Sequence, residues 1–167
     1  MTGALNRLRQ AVAEQLRQAG VNAVAALEPE RAARWREAAA AVALERVECA
    51  PEGFQDYLGR QKAPETGQVQ EVYGRGVIIT LALEVFAPRD RGAEACQAAA
   101  ETAMEELLCR GAAGMPVEEL QAGAVEFLPQ EGRCRQMVRC RCRAWLVARM
   151  QEDGGAFTDF EVRGTMN

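Results

Sequence analysis

The chain has 167 residues, 49% of them hydrophobic and 26% charged, and a formal net charge of -4 at pH 7. A chain of this length buries about 70% of the surface that its unfolded form exposes, so it forms a core without disulfides or metals. The acidic balance argues against a nucleic-acid-binding domain, which usually carries a basic excess. No apolar run approaches the roughly 18 residues of a membrane helix, and no signal-peptide pattern is visible. We therefore expect a cytoplasmic protein.

The sequence contains neither histidine nor serine, which removes most catalytic arrangements. Ser-His-Asp, Cys-His and His-metal sites are excluded for this reason. The closest pair among the six cysteines, Cys140 and Cys142, lacks the usual spacing of zinc ligands. In a cytosolic chain we expect reduced thiols that pack as small apolar side chains. The sequence thus predicts no catalytic, cofactor or metal site, and a protein that is not an enzyme.

An amphipathic helix is predicted over residues 3–19. Apolar residues recur there at three- and four-residue intervals, which places them on one side of a charged helix; they are Leu5, Leu8, Val12 and Leu16. Gly20 is the expected stop.

The segment after this helix is less uniform. Residues 21–27 favour an extended conformation, and a short helical turn is expected after Pro29, followed by a strand over 39–49. The alanine run within that strand also favours a helix, so both states stay open for residues 30–45.

The middle of the chain has the clearest patterns. Residues 51–70 contain prolines, glycines and many polar side chains, which predicts a long loop of the kind that carries function or orders on binding. Residues 77–86 are apolar on both faces, which predicts a central strand covered on both sides. A second helix is expected over 92–109, and its small residues would let it lie close to a sheet.

Three further strands are expected, over residues 119–128, 133–150 and 157–163. The second alternates with period two, which separates an apolar face from a face rich in arginine. The apolar face comprises Cys134, Val138, Cys140, Cys142, Ala144, Leu146 and Ala148, and the other face comprises Arg135, Met137, Arg139, Arg141, Arg143, Trp145, Val147 and Arg149.

This order of elements predicts a single domain over residues 1–167 with an α+β fold. An antiparallel or mixed β-sheet carries two α-helices packed on one face. The other face of the sheet must then be solvated or buried against a partner.

Two features are candidates for a subunit interface. The first is the arginine row, because arginine and tryptophan are enriched at interfaces; its members are Arg135, Arg139, Arg141, Arg143 and Trp145. The alternatives are a DNA-facing surface and a solvated face whose arginines pair with glutamates of adjacent strands. The second feature is the 51–70 segment, in which Phe54, Tyr57 and Leu58 would anchor a neighbouring subunit.

Several short sequence segments also occur in an order that resembles a known protein family. Pro51-Glu52-Gly53-Phe54-Gln55-Asp56-Tyr57-Leu58-Gly59 precedes Glu71-Val72-Tyr73-Gly74 and an apolar strand that ends in Phe86-Ala87-Pro88. An alanine-rich helix follows, and Phe157-Thr158-Asp159-Phe160-Glu161-Val162-Arg163-Gly164 closes the chain. This arrangement resembles small tail proteins of Clostridia-type prophages and, more loosely, the tail-terminator (tail-completion) family of long-tailed phages.

The resemblance implies an α+β subunit, without a catalytic site, that assembles into a homo-oligomeric ring, usually a hexamer. Such a ring caps the tail tube and joins it to the head, which implies contacts with tube, sheath or head-tail connector proteins and passage of DNA through the ring. It also implies assembly in the cytoplasm of a bacterial host. The alternatives are another head-tail connector or tube component of the same particle, or a small nucleic-acid-binding module.

Overall fold

The computed structural model describes residues 2–49, 56–151 and 157–165, which form helices and strands over most of their length. The helices are α1 (Thr2–Gln18), α2 (Pro29–Ala32) and α3 (Gly92–Arg110). The strands are β1 (Ala23–Val24), β2 (Ala39–Cys49), β3 (Asp56–Lys62), β4 (Val69–Pro88), β5 (Val117–Ala122), β6 (Glu126–Leu128), β7 (Arg133–Gln151) and β8 (Thr158–Arg163).

Two long antiparallel strands form the centre of the sheet. β4 and β7 pair along almost their whole length, from Gln70 opposite Gln151 to Pro88 opposite Arg133. Around them the strand order is β1-β2-β4-β7-β5, while β3 pairs with β4 and both β6 and β8 pair with β7. The β1–β2 pair is parallel and the other pairs are antiparallel. The sheet is therefore mixed, and the predicted α+β class is confirmed.

Both long helices pack on the same face of this sheet, here called the helix-side face. α1 contributes its predicted apolar stripe, and α3 contributes the buried residues Cys96, Ala100, Ala103 and Leu107. They meet alternate residues of β4 and β7, which include Ile79, Leu81, Leu83, Val138, Cys140 and Cys142. Small residues on α3 let its axis approach the sheet closely. No helix in the described ranges is long and apolar enough to cross a membrane.

The opposite face of the sheet, here called the open face, carries a small apolar cluster at one end. There Trp35, which follows α2, stacks on Phe86 of β4 with ring centroids 4.9 Å apart. The Arg133 guanidinium lies 4.7 Å from the Phe86 centroid. Ala39 and Ala41 of β2 complete this small cluster.

The sheet is longer than the helix layer that covers it. β2 pairs with β4 from Val77 to Phe86, and beyond that point β3 takes its place beside β4. On the opposite edge of the β4–β7 pair, β5 pairs with the first part of β7 and β8 pairs with its later part. The resulting four-stranded part, β3-β4-β7-β8, is called the sheet extension below. α1 reaches β8, whereas β3 packs mainly on β4 among the described elements.

The loop prediction for residues 51–70 is wrong for residues 56–62 and 69–70, which form strands. Residues 56–62 form β3, and β4 begins at Val69, eight residues before the predicted strand start. Residues 50–55 lie outside the described ranges. β3 is polar, and it contains a bulge that ends at Gly59, whose φ of 114° suits glycine. An edge strand of this kind is held by pairing with its neighbour, so it lacks the apolar alternation that marks a strand in sequence.

The other predicted elements match more closely. α1 and α3 agree with the predicted helices to within one residue, and the turn after Pro29 and the strand over 39–49 are confirmed. Of the extended segment 21–27 only the two residues of β1 form a strand, and the strand expected over 119–128 is divided into β5 and β6.

Candidate assembly interface

The arginine row of β7 lies on the open face, as its alternation predicts. Even-numbered residues from Cys134 to Ala148 are buried, whereas odd-numbered residues are exposed or half-buried, except for the buried Val147. Pairing with β4 and β5 then places glutamates of neighbouring strands beside the arginines. The charged side chains therefore share a face with each other and not with the core.

These arginines pair within the chain. Arg139 Nε lies 3.0 Å from both carboxylate oxygens of Glu45 on β2. Glu118 of β5 accepts a hydrogen bond from Arg141 at 3.1 Å and forms an ion pair with Arg143 at 2.5 Å. The open face is therefore a mixed-charge surface, as in the solvated alternative, and the row does not require carboxylates from a neighbouring copy.

Arg135, near the start of β7, also pairs with glutamates of neighbouring strands. Its guanidinium lies 3.2 Å from Glu126 of β6 and 3.9 Å from Glu84 of β4. Trp145 is half-buried on the open face, above Gly76. The predicted row is thus placed together on one surface.

The residues predicted from the 51–70 segment lie elsewhere. Phe54 is outside the described residues. Leu58 lies over Gly74 on the open face, where a Cβ on Gly74 would come within 2.9 Å of Leu58 Cδ1. Tyr57 pairs with Tyr73, so its ring lies on the opposite, helix-side face, and it is 52% exposed. The described members of the predicted interface therefore divide between two faces of the sheet.

An aromatic cluster occupies the helix-side face of the sheet extension. The Tyr73 ring lies 5.3 Å from Tyr57 and 5.5 Å from Phe157, and its hydroxyl donates to Glu71 at 3.1 Å. Strand pairing places three basic residues on this same face, namely Arg60, Lys62 and Arg75. This surface is called the aromatic-basic patch below.

Sequence reasoning missed most of this patch. Tyr73 entered the sequence analysis only within the segment Glu71-Val72-Tyr73-Gly74 of the family resemblance. No function was predicted for Lys62, the sole lysine of the chain. The available signal was the grouping of aromatics around residues 54–73 and 157–160 in a chain with only 5% aromatic residues. Without strand register, that grouping does not reveal which of these residues share a face.

The cysteines are placed for packing. Cys96, Cys134, Cys140 and Cys142 are buried, and Cys49 and Cys109 are exposed. Burial raises the pKa of Cys96 to about 11, and the contact with Cys142, 3.5 Å away, together with burial raises the pKa of Cys140. Cys96 and Cys140 therefore stay protonated at neutral pH and are poor nucleophiles. Within the described ranges, no cluster of three or more potential ligands could hold a metal ion.

One cleft of about 470 Å³ lies beside the Trp35–Phe86 stack. Its walls come from the α2 region, the end of β4 and the turn before β7, with Glu131 and Arg133 as its charged lining. Those two side chains form an ion pair with each other. The cleft thus offers an apolar wall and a neutralised charge pair.

No protein-family model matches this chain, and no curated protein matches it either.

Proposed function

We propose that the chain is a non-enzymatic structural subunit that forms a ring at the end of the tail tube of a phage or phage-like particle. In this role the ring ends tail growth or joins the tube to the head. The family resemblance described above motivates the proposal. The observation that carries it is the aromatic-basic patch, which a monomer leaves partly exposed.

The patch has the composition of a contact surface. Protein interfaces are enriched in tyrosine, phenylalanine and arginine, and their strongest contacts involve aromatic or arginine side chains. Tyr57 is 52% exposed although it contacts Tyr73. A long sheet whose end is incompletely covered by its own helices has a surface that a second copy can bury.

The nucleic-acid alternative is less well supported. Non-specific binding to nucleic acids depends on cations that face phosphates. On the open face, Glu45 and Glu118 pair with Arg139, Arg141 and Arg143. These pairs leave little unbalanced positive charge on the open face for a phosphate backbone.

Light scattering on the purified chain separates these functions. A ring subunit gives one discrete oligomer at low micromolar concentration, with tail tube, sheath or connector proteins as its further partners. A nucleic-acid-binding module stays monomeric and binds DNA or RNA with an affinity that falls steeply with salt. A monomer with that behaviour would overturn the proposal.

A further inference from the structure

Among the described residues, three large apolar side chains are exposed to solvent. Tyr57 is 52% exposed and Leu108 is 62% exposed. The third such residue, Phe127, is 47% exposed, but the Arg89 guanidinium lies 5.8 Å from its ring centroid. Tyr57 belongs to the sheet extension and Leu108 to the last turn of α3, so the two lie in different parts of the molecule.

The surface around Leu108 is acidic. Residues at three- and four-residue spacing on α3 share its solvent-facing side, and these exposed positions are Glu94, Gln97, Glu101, Glu105 and Leu108. Glu101 accepts a hydrogen bond from Gln97 at 3.0 Å. In the described part of the chain, neither Glu101 nor Glu105 forms an ion pair. This surface is called the α3 stripe below.

The surface around Tyr57 is basic. Arg60, Lys62 and Arg75 share the helix-side face with the aromatic cluster, and a carboxylate oxygen of Glu71 on the same face lies 3.9 Å from Arg60. Lys62 is exposed. The Nε atom of Arg75 is buried and has no hydrogen-bond partner among the described residues. The aromatic-basic patch therefore opposes the α3 stripe in charge and shares its exposed apolar character.

We propose that the α3 stripe of one copy docks on the aromatic-basic patch of the next, with Leu108 against Tyr57 and the α3 carboxylates facing Lys62. This inference rests on the proposed ring and identifies the surfaces that join its subunits. The two surfaces are different, so the contact is heterologous, and such a contact generates a ring when the rotation between neighbouring copies closes. Pairing stripe with stripe, or patch with patch, would oppose like charges, which disfavours two-fold dimers.

A helix is a suitable occupant for this patch. In an α+β fold, helices cover the apolar face of the sheet, and here α1 and α3 cover the part beside β2 and β5, while α1 also reaches β8. Among the described elements, β3 packs mainly on β4, and no helix makes an extensive contact with it. The patch therefore continues a helix-covered face at a place where the described helices give it little cover. The outer side of a neighbour's α3 would extend the helix layer over the sheet extension.

Lys62 makes a direct test available, because it is the only lysine in the chain. Carbodiimide couples an amine to a carboxylate only when the two are in contact. We expect the assembled wild-type chain, prepared as a mixture of 15N-labelled and unlabelled copies, to give a mixed-label peptide that joins Lys62 to Glu101 or Glu105. Coupling of Lys62 only within one copy, or only to other carboxylates, would overturn the contact.

Charge reversal provides a second test. Lys62→Glu and Glu105→Lys should each weaken assembly about tenfold, the effect of losing one charge pair and opposing like charges. The double variant should recover most of the wild-type affinity. Glu28→Lys makes the same change at an exposed position away from both surfaces and should assemble normally. Circular dichroism checks that each variant is folded.

The outcomes separate this inference from the proposed function. If the wild type assembles and both reversals leave its dissociation constant unchanged, the α3 contact is wrong and the ring proposal stands. If the wild type remains monomeric at every concentration, both are wrong. Weakening by each single reversal with recovery in the double variant supports both.

Discussion

Arg139→Glu tests whether the arginine row stabilises the monomer or joins subunits. Arg139 contacts both carboxylate oxygens of Glu45 at 3.0 Å, with side chains 51% and 38% exposed. Because the pair is about half exposed, solvent screening limits its contribution to roughly 0.5–1 kcal/mol. The reversal also places two carboxylates together, so we expect a loss of about 1–2 kcal/mol. In a domain of this size that lowers the melting temperature by about 2–8 °C.

Thermal unfolding followed by circular dichroism measures this change. The swapped variant Glu45→Arg/Arg139→Glu restores opposite charges at the same two positions and should regain most of the loss. Assembly of Arg139→Glu, measured below its melting temperature, should remain close to wild type. An unchanged melting temperature together with lost assembly would refute this reasoning and assign the arginine row to the subunit interface.

Three further predictions concern the fold. Hydrogen bonds from Arg163 and Arg149 lower the pKa of Glu161, so Glu161→Gln should lower the melting temperature at pH 7. This difference should shrink as the pH falls below the ordinary carboxyl value of 4.5 and disappear below the lowered pKa of the folded state; a constant difference would contradict it. Gly164→Ala should cost about 1–3 kcal/mol in urea unfolding, because a Cβ there would overlap the Gly114 carbonyl oxygen; unchanged stability would show that the backbone yields freely. Alkylation without reductant should modify only two cysteines in the native chain, Cys49 and Cys109, and all six after denaturation.

The sequence was sufficient to predict the helices and strands whose buried apolar residues recur at regular intervals. The stripe of α1 and the alternation of β7 each match one period of secondary structure, so their faces followed directly from residue spacing. The α+β class then followed from the order of the elements. These inferences depend on local chemistry, which the sequence displays.

The sheet extension could not be predicted in the same way. β3 is polar, contains Gly59 at a bulge, and is held by pairing with β4. Its long-range partner, and not its own composition, makes it a strand. The placement of Tyr57 on the face opposite the arginine row follows from this register, which no local pattern reveals.

The arginine row illustrates a different limit. The sequence showed that the arginines share a face, but the source of their carboxylate partners stayed open. Glu45 and Glu118 are separated from the arginines by 94 and 23 positions in the chain. Only strand order brings them into contact, so intramolecular and intersubunit pairing could not be distinguished before the structure.

Electron microscopy of the purified chain tests the central claim most directly. Class averages of negatively stained particles at low micromolar concentration should show one closed ring with a central opening, and six-fold symmetry is the expected form. Particles of monomer size, or open filaments without a closed form, would contradict the account of this chain as a ring-forming tail subunit.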